Sequence, residues 1–196
     1  MSFTEIIDGK GGGKRASVDN NNRLETFAIT ESRMADVSYR DGRSFLLTSD
    51  FIPLTTTASF SGVFYLKNTD PDTVIFIDKI RICGTAAVGV MGNLQTKFIK
   101  NPTTGTLITN ATDAIVVPAN LSSNNVLDAD CYKGADSNTI TDGTQFSQFV
   151  VHLAGHTIQE YDGALILEGG NSMSIEVKPN IATDVCIEIQ CWTENK

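Results

Sequence analysis

From Ser172 to Trp192 the chain carries two segments whose alternation leaves little freedom of fold. Met173, Ile175 and Val177 alternate with Ser174, Glu176 and Lys178. After a turn through Pro179 and Asn180, Val185, Ile187, Ile189 and Cys191 alternate with Cys186, Glu188 and Gln190. A period of two places an apolar row and a polar row on opposite faces of a strand, so one face packs a core and the other meets water. Parallel sheets are covered on both faces and read as unbroken apolar runs, so these strands belong to antiparallel sheets.

The rest of the chain reads the same way. Candidate strands are Phe45–Leu47, Ala58–Lys67, Thr73–Cys83, Ala86–Met91, Leu94–Ile99, Thr106–Thr109, Ala114–Val117, Gln145–Leu153 and Ala164–Leu167. Turn residues separate them: Asn68–Pro71, Asn101-Pro102 with Gly105 in an expected hairpin, and Gly169-Gly170-Asn171. Leu24–Ile29 fits a helical face or a strand, and the β-rich remainder favours the strand. Val74–Ile77 and Phe149–Leu153 are apolar on both faces, which predicts central strands or a subunit contact. No long amphipathic helix is expected beyond residue 40. The predicted fold is all-β, an antiparallel two-sheet sandwich with a jelly roll as its expected form. Residues 23–196 form its single domain. Residues 119–144, rich in Asn, Asp, Ser and Thr, are long for an irregular connection and read as a long loop or insertion.

Residues 1–22 read as a flexible arm, because the glycines at 9 and 11–13 and the Asn20–Asn22 run bury too little apolar surface to fold alone. Phe3, Ile6 and Ile7 ahead of the glycines, followed by Lys10, Lys14 and Arg15, are the candidate contact residues of this arm with another surface. The net charge of −8 is unevenly placed. Residues 1–43 hold seven basic and seven acidic side chains, whereas the remaining residues hold eight and sixteen. An acidic body repels phosphates, so no nucleic-acid partner is expected. No membrane partner is expected either, since no stretch approaches the roughly 20 apolar residues of a spanning helix. The opening MSFTEIIDGKGGGKR lacks a signal-like apolar run, so export is not expected and the Asn110 and Asn120 sequons read as chance. Cys83, Cys131, Cys186 and Cys191 then read as reduced thiols packed as small core residues. Cys191 shares the parity of Ile187 and Ile189 and is expected to be buried. Cys186 faces the other way and cannot pair with it.

The familiar chemical patterns fail on particular residues. Gly9–Arg15 lacks a P-loop's first Gly, which falls on Asp8, and its Ser/Thr, which falls on Arg15. His152 and His156 have a zinc-ligand spacing, but Leu153 stands where the protease pattern needs Glu. A structural His152 on a strand and turn is the favoured reading. Asp128-Ala-Asp130 opens like a calcium loop, then places Lys133 at the turn Gly and Thr139 at the bidentate Glu. No Gly-x-Ser-x-Gly elbow occurs, although triads and carboxylate pairs assemble in space and leave little trace in sequence. Trp192, sharing parity with Glu188 and Gln190, is the one candidate platform for a sugar ring and is expected to be partly exposed. No catalytic residues, cofactor or metal ligands are assigned.

Three segments remain: Asp19-Asn-Asn-Asn-Arg23-Leu-Glu-Thr-Phe-Ala-Ile-Thr, then Phe64-Tyr-Leu-Lys-Asn68 followed by the apolar strand Val74–Ile82, and Leu165-Ile-Leu-Glu-Gly-Gly-Asn-Ser-Met-Ser-Ile-Glu-Val with the ending Trp192-Thr-Glu194. Together they resemble themes of small virion structural proteins of tailed bacteriophages. The resemblance covers less than half of the chain. It implies a jelly-roll-like fold and a non-enzymatic capsid decoration or cement protein on the capsid surface, assembled in the host cytoplasm. The implied partners are the major capsid protein lattice and two further copies in a homotrimer. A tail or fibre component binding host-surface glycans is the alternative, and a β-sandwich hydrolase or lyase a more distant one.

Overall fold

The computed structural model describes residues 17–18, 24–25, 33–55, 58–85, 92–153 and 155–196. The chain forms two units, residues 1–32 and residues 33–196. In the first, β1 (Ser17–Val18) pairs antiparallel with β2 (Leu24–Glu25). The arm residues Phe3, Ile6, Ile7, Lys10, Lys14 and Arg15 lie outside the described residues, as do the expected strand Ala86–Met91 and the remainder of Leu24–Ile29.

The second unit opens with α1 (Arg33–Asp41), then β3 (Ser44–Thr48), β4 (Ile52–Leu54), β5 (Ser61–Asn68), β6 (Thr73–Gly84) and β7 (Asn93–Lys100). The short α2 (Thr106–Thr109), β8 (Thr112–Asp113), β9 (Ile115–Pro118) and β10 (Ala129–Lys133) follow. The chain closes with β11 (Thr144–His152), β12 (Gly155–Glu168), β13 (Ser172–Pro179) and β14 (Thr183–Asn195). One sheet has the order β12-β6-β14-β3-β9, with β4 also on β14; the other runs β11-β7-β13-β5-β10-β8. All pairings are antiparallel.

Eight strands carry the architecture. Among them the first pairs with the last (β3–β14), the second with the seventh (β5–β13), the third with the sixth (β6–β12) and the fourth with the fifth (β7–β11). This nesting of a long hairpin, folded over into two sheets, is a jelly roll. The two inner faces supply the core: Phe64, Leu66, Phe98, Ile175 and Val177 from one sheet meet Leu47, Ile75, Ile80, Ile82, Ile187 and Ile189 from the other, all essentially inaccessible. Each such side chain contributes roughly 1.5–3 kcal/mol on burial.

Strand β6 shows how sequence sets the register. Its buried residues are Ile75 and Ile77, then Ile80 and Ile82, so the parity slips by one at Asp78 and Lys79. The ladder records the same slip as a bulge, with Gln190 opposite Lys79 but Cys191 opposite Ile77. On the other side of β6, β12 accommodates it by looping out between Glu160 and Leu165, where Asp162 (φ 48) and Gly163 (φ 79) take left-handed conformations. This loop corrects the expectation for Trp192, which is only 4% exposed. The indole does lie on the outer face, as parity requires, but it stacks on Phe76 (5.3 Å between centroids) and packs directly under Gly163. Its Nε1–H donates to Glu194 Oε1 at 3.0 Å. Parity gives the face of a strand and says nothing about what covers that face.

Thr106–Thr109 is a helical turn rather than a strand. Four residues cannot sustain a helix by propensity, and this turn is held from outside. Thr106 N–H reaches Thr139 Oγ1, Thr139 N–H donates to Thr106 Oγ1, and Leu107, fully buried, packs on Gly62. The segment 119–144 is also more ordered than a bare loop. Its Asn and Ser side chains satisfy the carbonyls at the end of α1: Asn120 Nδ2 donates to Ser38 O, Asn125 Nδ2 to Asp41 O and Ser123 Oγ to Gly42 O. Beyond them β10 adds to the edge of β5. Phe149–His152 lies on the edge strand β11, with Val150 exposed and Leu153 in the turn that follows, so that run is not central; Val74–Ile77, on β6 between β12 and β14, is.

Candidate functional site

The two strands β11 and β12 are the outermost members of their sheets on the same side of the sandwich. Each is paired along one edge only, so each presents unpaired backbone groups along the other. Exposed apolar side chains occur on both: Phe146 and Val150 on β11, Ile158 and Ile166 on β12. Between them opens a groove of about 450 Å³ lined by Phe146, Ala164, Ile166 and Met173, with Lys100 and Glu168 contributing its charged groups. Such a volume and a largely apolar lining are those of a recognition cleft.

The mouth of the groove is built from turn chemistry. Asn101, with φ of 50°, donates its N–H to Ser172 O (2.8 Å), and its Oδ1 accepts the Ser172 N–H (2.9 Å). Ser172 Oγ donates to Pro102 O. The fully buried Asn68 then joins strands from both sheets, its Nδ2 donating to Thr73 O and Leu167 O while its own carbonyl accepts Gly170 N–H. The groove is therefore preorganised by amide side chains at element ends. Nothing in the sequence marked Lys100, Phe146 or Ile166 as site residues, and Asn101 stood out only as a turn residue. The Asn-Pro and Gly-Gly-Asn turns gave the ends of the strands, but only the topology brings β11 and β12 to one side.

The outer face of the second sheet is covered around Glu176. Glu176, with a side chain 4% exposed, meets Lys97 Nζ at 2.7 Å, and the ammonium sits 4.4 Å from the Phe60 ring centroid. Asp142 holds the loop above, accepting hydrogen bonds from Thr103 Oγ1 and from the Thr103 and Thr104 N–H groups. The hydroxyl and amides beside it pull its carboxyl down to about 2.

The candidate chemical residues do not gather into a constellation. His152 ends β11 and His156 lies near the start of β12; the strand and turn are as expected, but both side chains are exposed rather than structural core. Asp130 lies on β10 opposite Lys67, so the backbone is extended there rather than looped around an ion. Among the described residues no group of three or more His, Cys, Asp or Glu side chains is arranged to hold a metal ion. Among the same residues no helix is long and apolar enough to cross a membrane. All four cysteines carry free thiols. Cys191 is fully buried as expected, and burial pushes its thiol far above the ordinary range; burial pushes Cys131 up to about 12. The chain matches no protein-family model and no curated protein.

Proposed function

We propose that this chain is a non-enzymatic virion structural protein that binds an assembled capsid lattice as a homotrimer and reinforces it. The observation that carries the reading is the apolar edge formed by β11 and β12, where Val150, Ile166, Phe146 and Ile158 are 54, 46, 41 and 40% exposed. Apolar side chains exposed along unpaired edge strands are a surface that oligomerisation buries, and closed cyclic symmetry is the usual result. The resemblance of the sequence segments to tailed-phage virion proteins and the jelly-roll connectivity support the same reading.

In this scheme the N-terminal residues Phe3, Ile6, Ile7, Lys10, Lys14 and Arg15 contact the capsid. Three such segments on one trimer act together through effective concentration. A protein that binds only the assembled lattice stabilises it by mass action. The test compares genome release on heating particles with and without this protein. Particles lacking it should release at lower temperature, and protein lacking residues 2–18 should keep its own thermal transition while losing affinity for particles. Equal heat resistance with and without the protein would sink the cement reading.

A second reading, a tail or fibre component that binds host glycans, draws on the groove itself. A ring such as Phe146 beside Lys100 and Glu168 is a combination able to hold a sugar. Glycan-array binding lost on Phe146→Ala, together with failed adsorption of particles to cells, would favour this reading.

A further inference from the structure

On the outer face of the first sheet, Cys83 of β6 and Cys186 of β14 stand directly opposite each other in the antiparallel ladder. Directly opposed residues project from the same face. The face is fixed by the next pair along it, Arg81 and Glu188, whose side chains meet at 2.9 Å outside the core. Cys83 is half-buried and Cys186 buried, so one thiol is open to solution reagents and the other lies behind it.

The ladder also fixes the class of pair. Thr85 N–H donates to Asp184 O at 2.9 Å, one step beyond the last ladder pair, Gly84 opposite Val185, with the register continued. Hydrogen-bonded and non-hydrogen-bonded pairs alternate, so two residues along, Cys83 and Cys186 form a hydrogen-bonded pair with Cα atoms about 5.5 Å apart. A disulfide accepts Cα separations of roughly 4.4–6.8 Å but needs the Cβ atoms drawn in to about 3.8 Å. Closure is therefore within reach without moving a strand, at the cost of local strain that makes the bond easy to reduce.

We propose that Cys83 and Cys186 form a redox-sensitive dithiol that closes reversibly into a cross-strand disulfide joining β6 to β14. With oxidised glutathione as the oxidant, the Cys83 thiolate attacks one glutathione sulfur and expels the other glutathione as thiolate. The Cys186 thiolate then attacks the Cys83 sulfur and releases the second glutathione. Two protein thiols lose two protons and two electrons, and one glutathione disulfide becomes two glutathione thiols. Cys83 is the attacking residue because it is the more accessible of the two, and Cys186 resolves the mixed disulfide.

Both thiols are raised by burial, which slows the reaction at neutral pH. The charged and titratable groups around them are Arg81, which favours the Cys83 thiolate, Glu188 and Asp50, which oppose thiolate formation, and His156, the register partner of Cys83 on β12. Exchange therefore accelerates as pH rises. Cys131 and Cys191, on inward faces, are closed to the reagent.

The experiment treats the full chain with oxidised glutathione at mildly alkaline pH, then denatures, alkylates and maps the peptides. The expected result is two alkylated thiols, Cys131 and Cys191, with the Cys83 and Cys186 peptides linked and the bond reopened by reduced glutathione. Cys186→Ser should stop at a stable glutathione adduct on Cys83, and Cys83→Ser should show neither adduct nor bridge. Four alkylated thiols after treatment, a bridge between Cys131 and Cys191, or a lasting adduct on Cys83 in the unmutated chain would each overturn the proposal.

Discussion

Lys97, half-buried, is held by two interactions of different kinds: the carboxylate of the buried Glu176 and the ring of Phe60. An ion pair at this depth need not be stabilising as a whole, because its desolvation opposes its attraction. Removing one partner is a different matter. Lys97→Ala leaves a buried carboxylate without its cation and is expected to cost about 3 kcal/mol in urea unfolding. The double change Lys97→Met with Glu176→Leu should recover much of that loss, and the double-mutant cycle measures the coupling. Asp142 makes a pH-dependent contribution of known sign. Its folded pKa lies below its unfolded value, so the stability it provides is present above about pH 4 and lost as pH falls toward 2. Asp142→Asn should flatten that part of the stability profile, and a profile unchanged by the substitution would remove Asp142 from the account.

Among the elements, those with two neighbours were the most legible. The alternation of apolar and polar residue types in β13 and β14 survives because each is flanked on both sides and turns its apolar row into the core, although most of the polar row of β13 is buried as well. The slip at Asp78 leaves two isoleucine pairs out of phase, but the expected strand Thr73–Cys83 carried no break there, and the ladder is what shows it. The first half of β12 was not. Gly155, His156, Gln159 and Glu160 are poor strand formers held by one neighbour, and their conformation comes from β6. Strand β10 and the turn α2 were hidden for the same reason, since partners distant in sequence fix both. The groove inherits this illegibility, being assembled from the ends of elements that only topology brings together. The loop on β12 gives a test at this scale. Gly163 has positive φ and lies against the Trp192 ring, so Gly163→Ala combines backbone strain with a clash. It should destabilise by more than 1 kcal/mol and shift tryptophan emission to the red as the indole becomes hydrated. An unchanged spectrum would show that another group shields the indole.

Among the described residues the acidic β-sandwich body exposes apolar side chains on β9 (Ile115 and Val117) as well as along the edge formed by β11 and β12. If that edge is the subunit contact, Val150→Glu and Ile166→Glu, each on an exposed site, should leave the fold intact and shift the mass measured by light scattering from oligomer to monomer. Loss of the oligomer with an unchanged thermal transition is the expected pair of results. An unchanged mass in both variants would move the contact elsewhere.

The nested pairing also dictates an order of events. Strand β14 lies between β6 and β3, yet it is the last of the eight strands to be synthesised. Until it arrives, β6 and β3 each present an open margin to solvent, and the apolar side chains they will pack beside β14 lack that neighbour. The nascent chain therefore passes through a stage at which its sheet has a vacant slot one strand wide. Long-range closure of this kind is slow, and during the wait the slot accepts any extended segment. A chain ending at residue 182 should be aggregation-prone by itself and should be rescued by a separate peptide of residues 183–196. By this route the jelly roll is a two-piece lock, with β14 as its key.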